Sequence, residues 1–458
     1  MKATHQSIQG PELFEREKIG RILLRLAPPV MFSQLIQALY NMVDSYFVGR
    51  LSADGLTALS AIFPAQLCIT AIAVGTGTGV GARMAQQLAT DGKKAANRTA
   101  GTGMLLAAIS WVLFSCVTLL LLPWFARVSV QSETAMQETI AYGYIVCLGS
   151  IGLFLESMWS KVLQAEGNML RPMIAQVVGA CMNMLLDPIL IFGLGPAPAL
   201  GIQGAAIATV AGQIAAAVIV GREGIRKSPR KIAEFRQDTA AIYRFGYPSI
   251  FMQLLYVVYI MGLNVILAQF SDSAVTVLGL YYKLQTFFFI PLFALQTCIV
   301  PVLSYNYARG LYRRCKRIIW ESAGIATALM LAGVVCFEGI PGAMIGLFTR
   351  EPETIAMGIP AFRIIALSFL PAVLSLIYPV VFQAVGKGPE SAGLSLLRQI
   401  ICLLPAFYLL SRIGLSWCWL AFPIAEIVTA VVGTALYRRE TKDWREAESI
   451  PTDSTINI

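Results

Sequence analysis

The sequence predicts an all-α membrane protein of twelve transmembrane helices, arranged as two pseudo-symmetric six-helix lobes. Composition, a dozen long apolar runs and an internal repeat carry that prediction. Of 458 residues, 57% are hydrophobic and 13% charged, about half the charged share of an ordinary soluble domain. The apolar runs, roughly 20 residues each, are long enough to cross a hydrocarbon core of about 30 Å. They place helices at 22–48, 57–83, 99–122, 139–162, 170–193, 202–221, 245–269, 275–303, 318–340, 360–383, 391–411 and 416–437.

Residues 1–20 are polar and charged, and the first apolar run, from Ile22, is full length rather than a short leader. A cytoplasmic N-terminus follows as the expectation. Most of the 35 Lys and Arg then fall on the cytoplasmic side: Arg16 to Arg25, Arg83 to Arg98, Arg226 to Arg236, Arg309 to Arg317 and Arg438 to Arg445. The opposite side holds Arg50, Arg127, Arg350, Arg363 and Arg412. This asymmetry orients the chain, so the net charge of +9 reads as a topology signal and not as a nucleic-acid surface. The expected setting is the plasma membrane, with both termini cytoplasmic, the lipid bilayer as surroundings and a monomeric state. Nine cysteines form no CxxC pair, so neither a disulfide framework nor a zinc site is expected. The single histidine, His5, lies in the polar tail and is given no function.

The third observation is a repeat at a separation of 219 residues. Pro29…Phe32-x-Gln34-Leu35 returns as Pro248…Phe251-x-Gln253-Leu254, and Gln164-Ala165-x-Gly167 returns as Gln383-Ala384-x-Gly386. The expected organisation is an N-lobe at 1–221, a basic cytoplasmic linker at 222–244, a C-lobe at 245–440 and a tail at 441–458. An even number of helices per lobe gives both lobes one orientation, related by an axis along the membrane normal, with a cavity between them. That arrangement suits alternating access rather than a fixed pore.

Carboxylates inside the membrane are costly and are functional candidates by default. Two stand out, Asp44 in helix 1 and Asp187 in helix 5. Gln34, Gln37, Asn41 and Asp44 are spaced three, four and three apart, on one helical face, with Tyr40 beside them. Helix 5 carries Gln176, Asn183 and Asp187 in a matching stripe. Such stripes face one another or a wet cavity. Gln34, Gln37, Tyr40 and Asn41, with Gln253 and Tyr256 of helix 7, are therefore the candidate cavity lining. An Asp that is alternately buried and hydrated exchanges a proton, and Asp44, Asn183 and Asp187 also offer the oxygens to hold Na+; the residues leave H+ and Na+ open. At the repeat offset Asp44 becomes Leu263 and Asp187 becomes Ala406, so coupling is expected in the N-lobe alone.

The C-lobe instead carries Tyr256, Tyr259, Met261, Tyr281, Tyr282 and Phe287 to Phe289, an adaptable apolar wall suited to amphipathic cations. Glu156 is expected to pair with Lys161 near the cytoplasmic end of helix 4, and Glu426 to find partners inside the C-lobe. Lys283 is either a structural counter-ion or a cavity residue. Gly75 to Gly81 (GTGTGVG) looks like a phosphate loop but follows no strand and lacks the GK[ST] ending; close helix packing is the expected reason for it. One tail histidine rules out a Ser/His/Asp triad, so no enzymatic activity and no cofactor beyond the coupling ion are expected.

The chain resembles the multidrug and toxic compound extrusion (MATE) family from about residue 18 to 437. The resemblance rests on Pro29, the run Tyr40 to Leu51 (YNMVDSYFVGRL), Glu166-Gly167-Asn168 and Asn183-x-x-x-Asp187-Pro188. It continues in Gly201-x-x-Gly204-Ala205-Ala206-x-Ala208-Thr209 and Pro423-Ile424-Ala425-Glu426. It implies two six-helix lobes that export cationic or amphipathic compounds in exchange for protons or sodium. In the branch with an N-lobe cation site, the matching positions are Asp44, Asn183, Asp187 and Thr209, and Pro29 is where helix 1 bends. The chain departs from the other branch, which has acids in helices 7 and 10, and carries Gln164 where many relatives have Arg. The rivals are a lipid-linked oligosaccharide flippase of the same superfamily, which would need several cavity cations, and a non-transporting receptor or scaffold, which would not bury two acids.

Overall fold

The computed structural model describes residues 10–130, 132–194, 198–229 and 231–449; His5, Arg230 and residues 450–458 of the tail lie outside the described residues. Among the described residues the fold is all helix. In chain order the spans are α1 (Ile19–Leu51), α2 (Ala53–Thr90), α3 (Gly92–Ser129), α4 (Glu133–Gly149, continued by Ile151–Ala165), α5 (Leu170–Phe192) and α6 (Ile202–Gly224). They continue with α7 (Ile232–Leu267), α8 (Asp272–Ala308), α9 (Tyr312–Gly339), α10 (Pro352–Ala366 and Phe369–Ala384), α11 (Gly388–Leu396, Leu397–Leu403 and Leu404–Ser411) and α12 (Ala421–Ser449). Three spans are interrupted: α4 at Ser150, α10, which bends by 54°, and α11, where Leu397–Leu403 is a π-helical turn. Counting the bent pair as one, twelve spans are long and apolar enough to cross a membrane.

The helices outrun the apolar segments that reveal them. α2 is 38 residues long and α8 is 37, so both project beyond the roughly 20 residues that lipid requires. Serine side chains cap several starts: Ser52 accepts from the Gly55 N–H at 2.8 Å, and Ser271 from that of Ala274 at 3.1 Å. α1 runs unbroken through Pro28 and Pro29. The outer surface is apolar, with Leu120 77% and Val335 68% exposed, which is the polarity expected of a protein solvated by acyl chains.

The repeat has a structural cause at the ends of α4 and α10. Both helices stop at a left-handed glycine, Gly167 at φ +83° and Gly386 at φ +81°. In one loop Asn168 N–H donates to Leu163 O at 2.9 Å; in the other, Lys387 N–H donates to Phe382 O at 2.8 Å. This pairing closes a helix C-terminus and needs a residue without Cβ.

The lobes meet at the basic end of the bundle. The largest buried cluster joins the C-lobe to N-lobe residues from that end only: Leu13 to Val30, Ala82 to Ala89, and Met169. Asp238, 2% exposed on α7, accepts from Arg98 Nε of α3 at 2.9 Å. Phe14, in the short helix Leu13–Arg16, is buried, and its carbonyl accepts from Asn306 Nδ2 and Arg314 Nε, each at 3.0 Å.

The glycine run packs directly against the other lobe. It lies inside α2, where a Cβ at Gly79 would stand 2.3 Å from Ile242 O and one at Gly75 2.9 Å from Ile250 N. Gly79→Val is therefore expected to wedge α2 from α7. Hydrogen exchange around Ile242 should rise in that variant, and unchanged exchange would mean that the interface has slack which the geometry does not show.

Candidate functional site

A cavity of about 520 Å³ opens in the N-lobe, lined by Gln34, Gln37, Tyr40, Asn41 and Asp44 of α1 together with residues of α2, α4, α5 and α6, and reaches the C-lobe at Thr297 of α8. It joins a space of about 200 Å³ that adds Gln253, Ser249, Gln296 and Gln383 from the C-lobe. The two share Gln34, Val74, Lys161, Gln164 and Thr297. A side chamber of about 80 Å³ runs from Gln37 and Tyr40 to Asn183 and Thr209.

Helical spacing on α1 turns its polar stripe into this opening. Asp44 is 8% exposed, and its Oδ1 is buried without a hydrogen-bond partner. Asp187, wholly buried, lies on α5 within electrostatic reach of Asp44. The Asn183 amide sits between Asp187 and Thr209. In one orientation its nitrogen reaches Asp187 Oδ1 at 3.4 Å and Thr209 Oγ1 at 3.3 Å. Turned over, the nitrogen donates to Asp187 Oδ2 at 3.3 Å and the oxygen accepts from the Thr209 N–H at 3.1 Å, which satisfies both ends. The structure thus gathers Asp44, Asn183, Asp187 and Thr209 from three helices, with Tyr40 in electrostatic reach of both acids. An all-oxygen donor set with one carboxylate oxygen unpartnered fits a proton or a hard monovalent cation.

Several expected placements change. Glu156 does not pair with Lys161: its Oε1 accepts from Ser160 Oγ at 2.8 Å and Gln176 Nε2 at 3.5 Å. Five residues put the two side chains about 140° apart around a helix. Both line the main cavity, and Lys161 also reaches the C-lobe side, so the cavity cation is Lys161 and not Lys283, which is exposed on α8. Tyr256 does not line these cavities. It packs edge-on against Tyr259 and Tyr282, with ring centroids 5.4 Å and 6.2 Å away. Met261 is 60% exposed and lines neither cavity.

The aromatic wall is therefore the interior of the C-lobe. Tyr259, Tyr281, Tyr282 and Phe289 surround a buried ion pair between Arg398, at the π-helical turn of α11, and Glu426 of α12. Arg398 Nε and Nη2 both lie 2.8 Å from Glu426 Oε1, and Ser375 Oγ donates to Oε2. The expectation that Glu426 is satisfied within its lobe agrees with this; Arg398 as the partner was missed, because pairs across helices leave no spacing in the sequence.

Comparison with known proteins agrees with the architecture. The MatE family model matches residues 29–189 and again 248–409, well over half of the chain and at nearly the offset of the repeat. The chain is 24% identical to a FAD transporter of Shewanella oneidensis over 447 residues, 96% of this chain and 97% of the relative. It is 22% identical to the multidrug export protein MepA of Staphylococcus aureus over 435 residues, 91% of this chain and 93% of the relative. Among solved structures, an outward-facing multidrug resistance MATE family transporter of the MOP superfamily superposes with a TM-score of 0.90 at 23% identity, covering 96% of this chain and 99% of that one. A MOP superfamily transporter from Pyrococcus furiosus, its binding pocket described as of reverse polarity, superposes at 0.88, also at 23% identity, covering 96% and 99%. With twelve spans in two repeated lobes and the family model matched once in each, the chain belongs to the MatE family of multi-pass membrane transporters.

Proposed function

We propose that this transporter is a secondary antiporter. It exports amphipathic small molecules by alternating access, in exchange for protons or sodium bound in the N-lobe. The observation that carries the reading is the unpartnered, buried Oδ1 of Asp44 on the wall of the inter-lobe cavity. A buried polar atom with no partner is costly, and a cation or proton relieves that cost. The coupling ion would sit among Asp44, Asp187, Asn183 and Thr209, while Gln34, Gln37, Asn41 and Gln253 would face the cargo. Pro29, inside α1, removes a backbone hydrogen bond and so gives the helix a place to bend. In this reading the lobes 1–221 and 245–440 rock as units, and the linker 222–244 and both termini lie in the cytoplasm of a monomer in the plasma membrane. The cavity between the lobes then faces outward in this conformation.

The cargo class rests on less. Relatives named for FAD transport and multidrug export support a small molecule. A cationic cargo has lost the aromatic wall that suggested it and keeps only Asp44 and Glu156 in the cavity lining. The flippase reading is not favoured, since Lys161 is the single cation among the residues lining the two inter-lobe cavities.

The test is dye efflux in everted vesicles carrying an imposed proton or sodium gradient, for the native protein and Asp44→Asn. Efflux should follow one gradient and collapse in the variant. Efflux indifferent to both gradients and to the substitution would sink the coupling.

A further inference from the structure

Lys161 ends at a place where the N-lobe departs from its own repeat. It faces the inter-lobe cavity from both sides of the shared wall, and no carboxylate lies within 4.0 Å of its ammonium among the described residues. Its neighbour Glu156 is engaged by Ser160 and Gln176. The lysine stem runs alongside α2 at Gly77, where an added Cβ would stand 3.0 Å from Lys161 Cγ. Charged groups away from bulk water are normally paired; this one has Glu156 within electrostatic reach but makes no direct ion pair with it.

One turn along α4, Gln164 is 7% exposed, lines the same cavity, and has an Oε1 with no partner. Its repeat twin shows what is missing. Gln383 donates from Nε2 to Phe245 O at 2.6 Å and to Ser249 Oγ at 2.7 Å. At the 219 offset, Val30 stands where Ser249 does, and Val380 where Lys161 does. The C-lobe copy is closed on itself by a hydroxyl. The N-lobe copy has exchanged that hydroxyl for a methyl-bearing side chain and gained an ammonium. The neighbouring amides turn elsewhere: Gln296 Nε2 donates to Leu376 O at 2.7 Å and Gln253 Nε2 to Ser249 O at 3.4 Å.

We propose that this corner of the cavity is a receptor for an oxyanion. The cargo carries a carboxylate or phosphate that seats on Lys161 Nζ, and an adjoining N–H or O–H of the cargo donates to Gln164 Oε1. This deepens the transport reading, since it takes the inter-lobe cavity to be the cargo site, and it makes the cargo an acid-bearing amphiphile rather than a plain cation.

The experiment is equilibrium binding to the full-length protein in lipid nanodiscs, read by fluorescence anisotropy. The probes are a xanthene dye with a free carboxylate and its methyl ester, alike except for the blocked acid. The native protein should prefer the acid by about tenfold, the ratio that one charge-assisted hydrogen bond supports. Lys161→Met should bring the ratio to about one, and Lys161→Arg should keep it. Equal or better binding of the ester by the native protein overturns the proposal without recourse to any variant, as does a tenfold ratio that survives in Lys161→Met. No gradient is imposed. A failure of ion coupling therefore leaves the ratio intact, whereas absence of the ratio leaves gradient-driven efflux of the ester unaffected.

Discussion

Replacing Asp187 with Asn is expected to lower gradient-driven efflux by on the order of a hundredfold while the protein still folds and inserts. The side chains are nearly equal in size, and the retained carbonyl oxygen can still accept the hydrogen bond from Asn183 at about the native distance of 3.4 Å. What is lost is the charge. Asp187 is wholly buried and within electrostatic reach of Asp44, so the substitution removes one of two neighbouring buried acids. Coupling free energies between an effector and a ligand site run to about 1–3 kcal/mol, or roughly 5–150-fold. A carboxylate at the centre of the proposed ion site would belong at the upper end. Initial efflux rates in everted vesicles, normalised to protein in the membrane, measure the effect, and full activity in Asp187→Asn would remove this residue from coupling.

The second large effect falls in the other lobe and on stability. Arg398→Met leaves Glu426 as a carboxylate in an aromatic interior, with only Ser375 to hold it. The pair is well shielded, with side-chain exposures of 17% and 9%. Breaking such a pair from one side costs about 3–5 kcal/mol, while replacing both partners by apolar residues is often near neutral. Arg398→Met should therefore unfold at markedly lower temperature, and Arg398→Met combined with Glu426→Met should recover most of the loss. Thermal unfolding in detergent, arranged as a double-mutant cycle, measures both. A double variant as unstable as the single one would show that the cost came from lost packing of the arginine stem.

The number and order of the helices were legible because lipid demands long apolar runs and nothing else in the chain supplies them. The helix ends were not, since Ala53–Thr90 and Asp272–Ala308 continue in polar residues that hydropathy cannot follow. Asp44 and Asp187 could be read from rarity and spacing alone. Lys161 is harder to place: a lysine five residues from a glutamate on one helix suggests an ion pair, and only the folded lining shows that it faces the cavity instead. The tyrosines of α7 and α8 were equally ambiguous, because an aromatic in a membrane helix looks the same in sequence whether it meets lipid, cargo or a buried ion pair. The glycine run was read correctly as a packing device, although its partner, α7 of the other lobe, could not be named from sequence.

The ion pair in the C-lobe has an electrical consequence. Arg398 is tied to the chain by covalent bonds, so the countercharge of Glu426 stays the same whatever the solutions on either side contain. Asp44 and Asp187 have no such tether, and under the proposed coupling the charge of their surroundings would depend on what arrives from outside. A membrane voltage can drive only charge that moves or changes. In the proposed antiport that leaves one lobe as a fixed electrical background and the other as the place where the voltage would act.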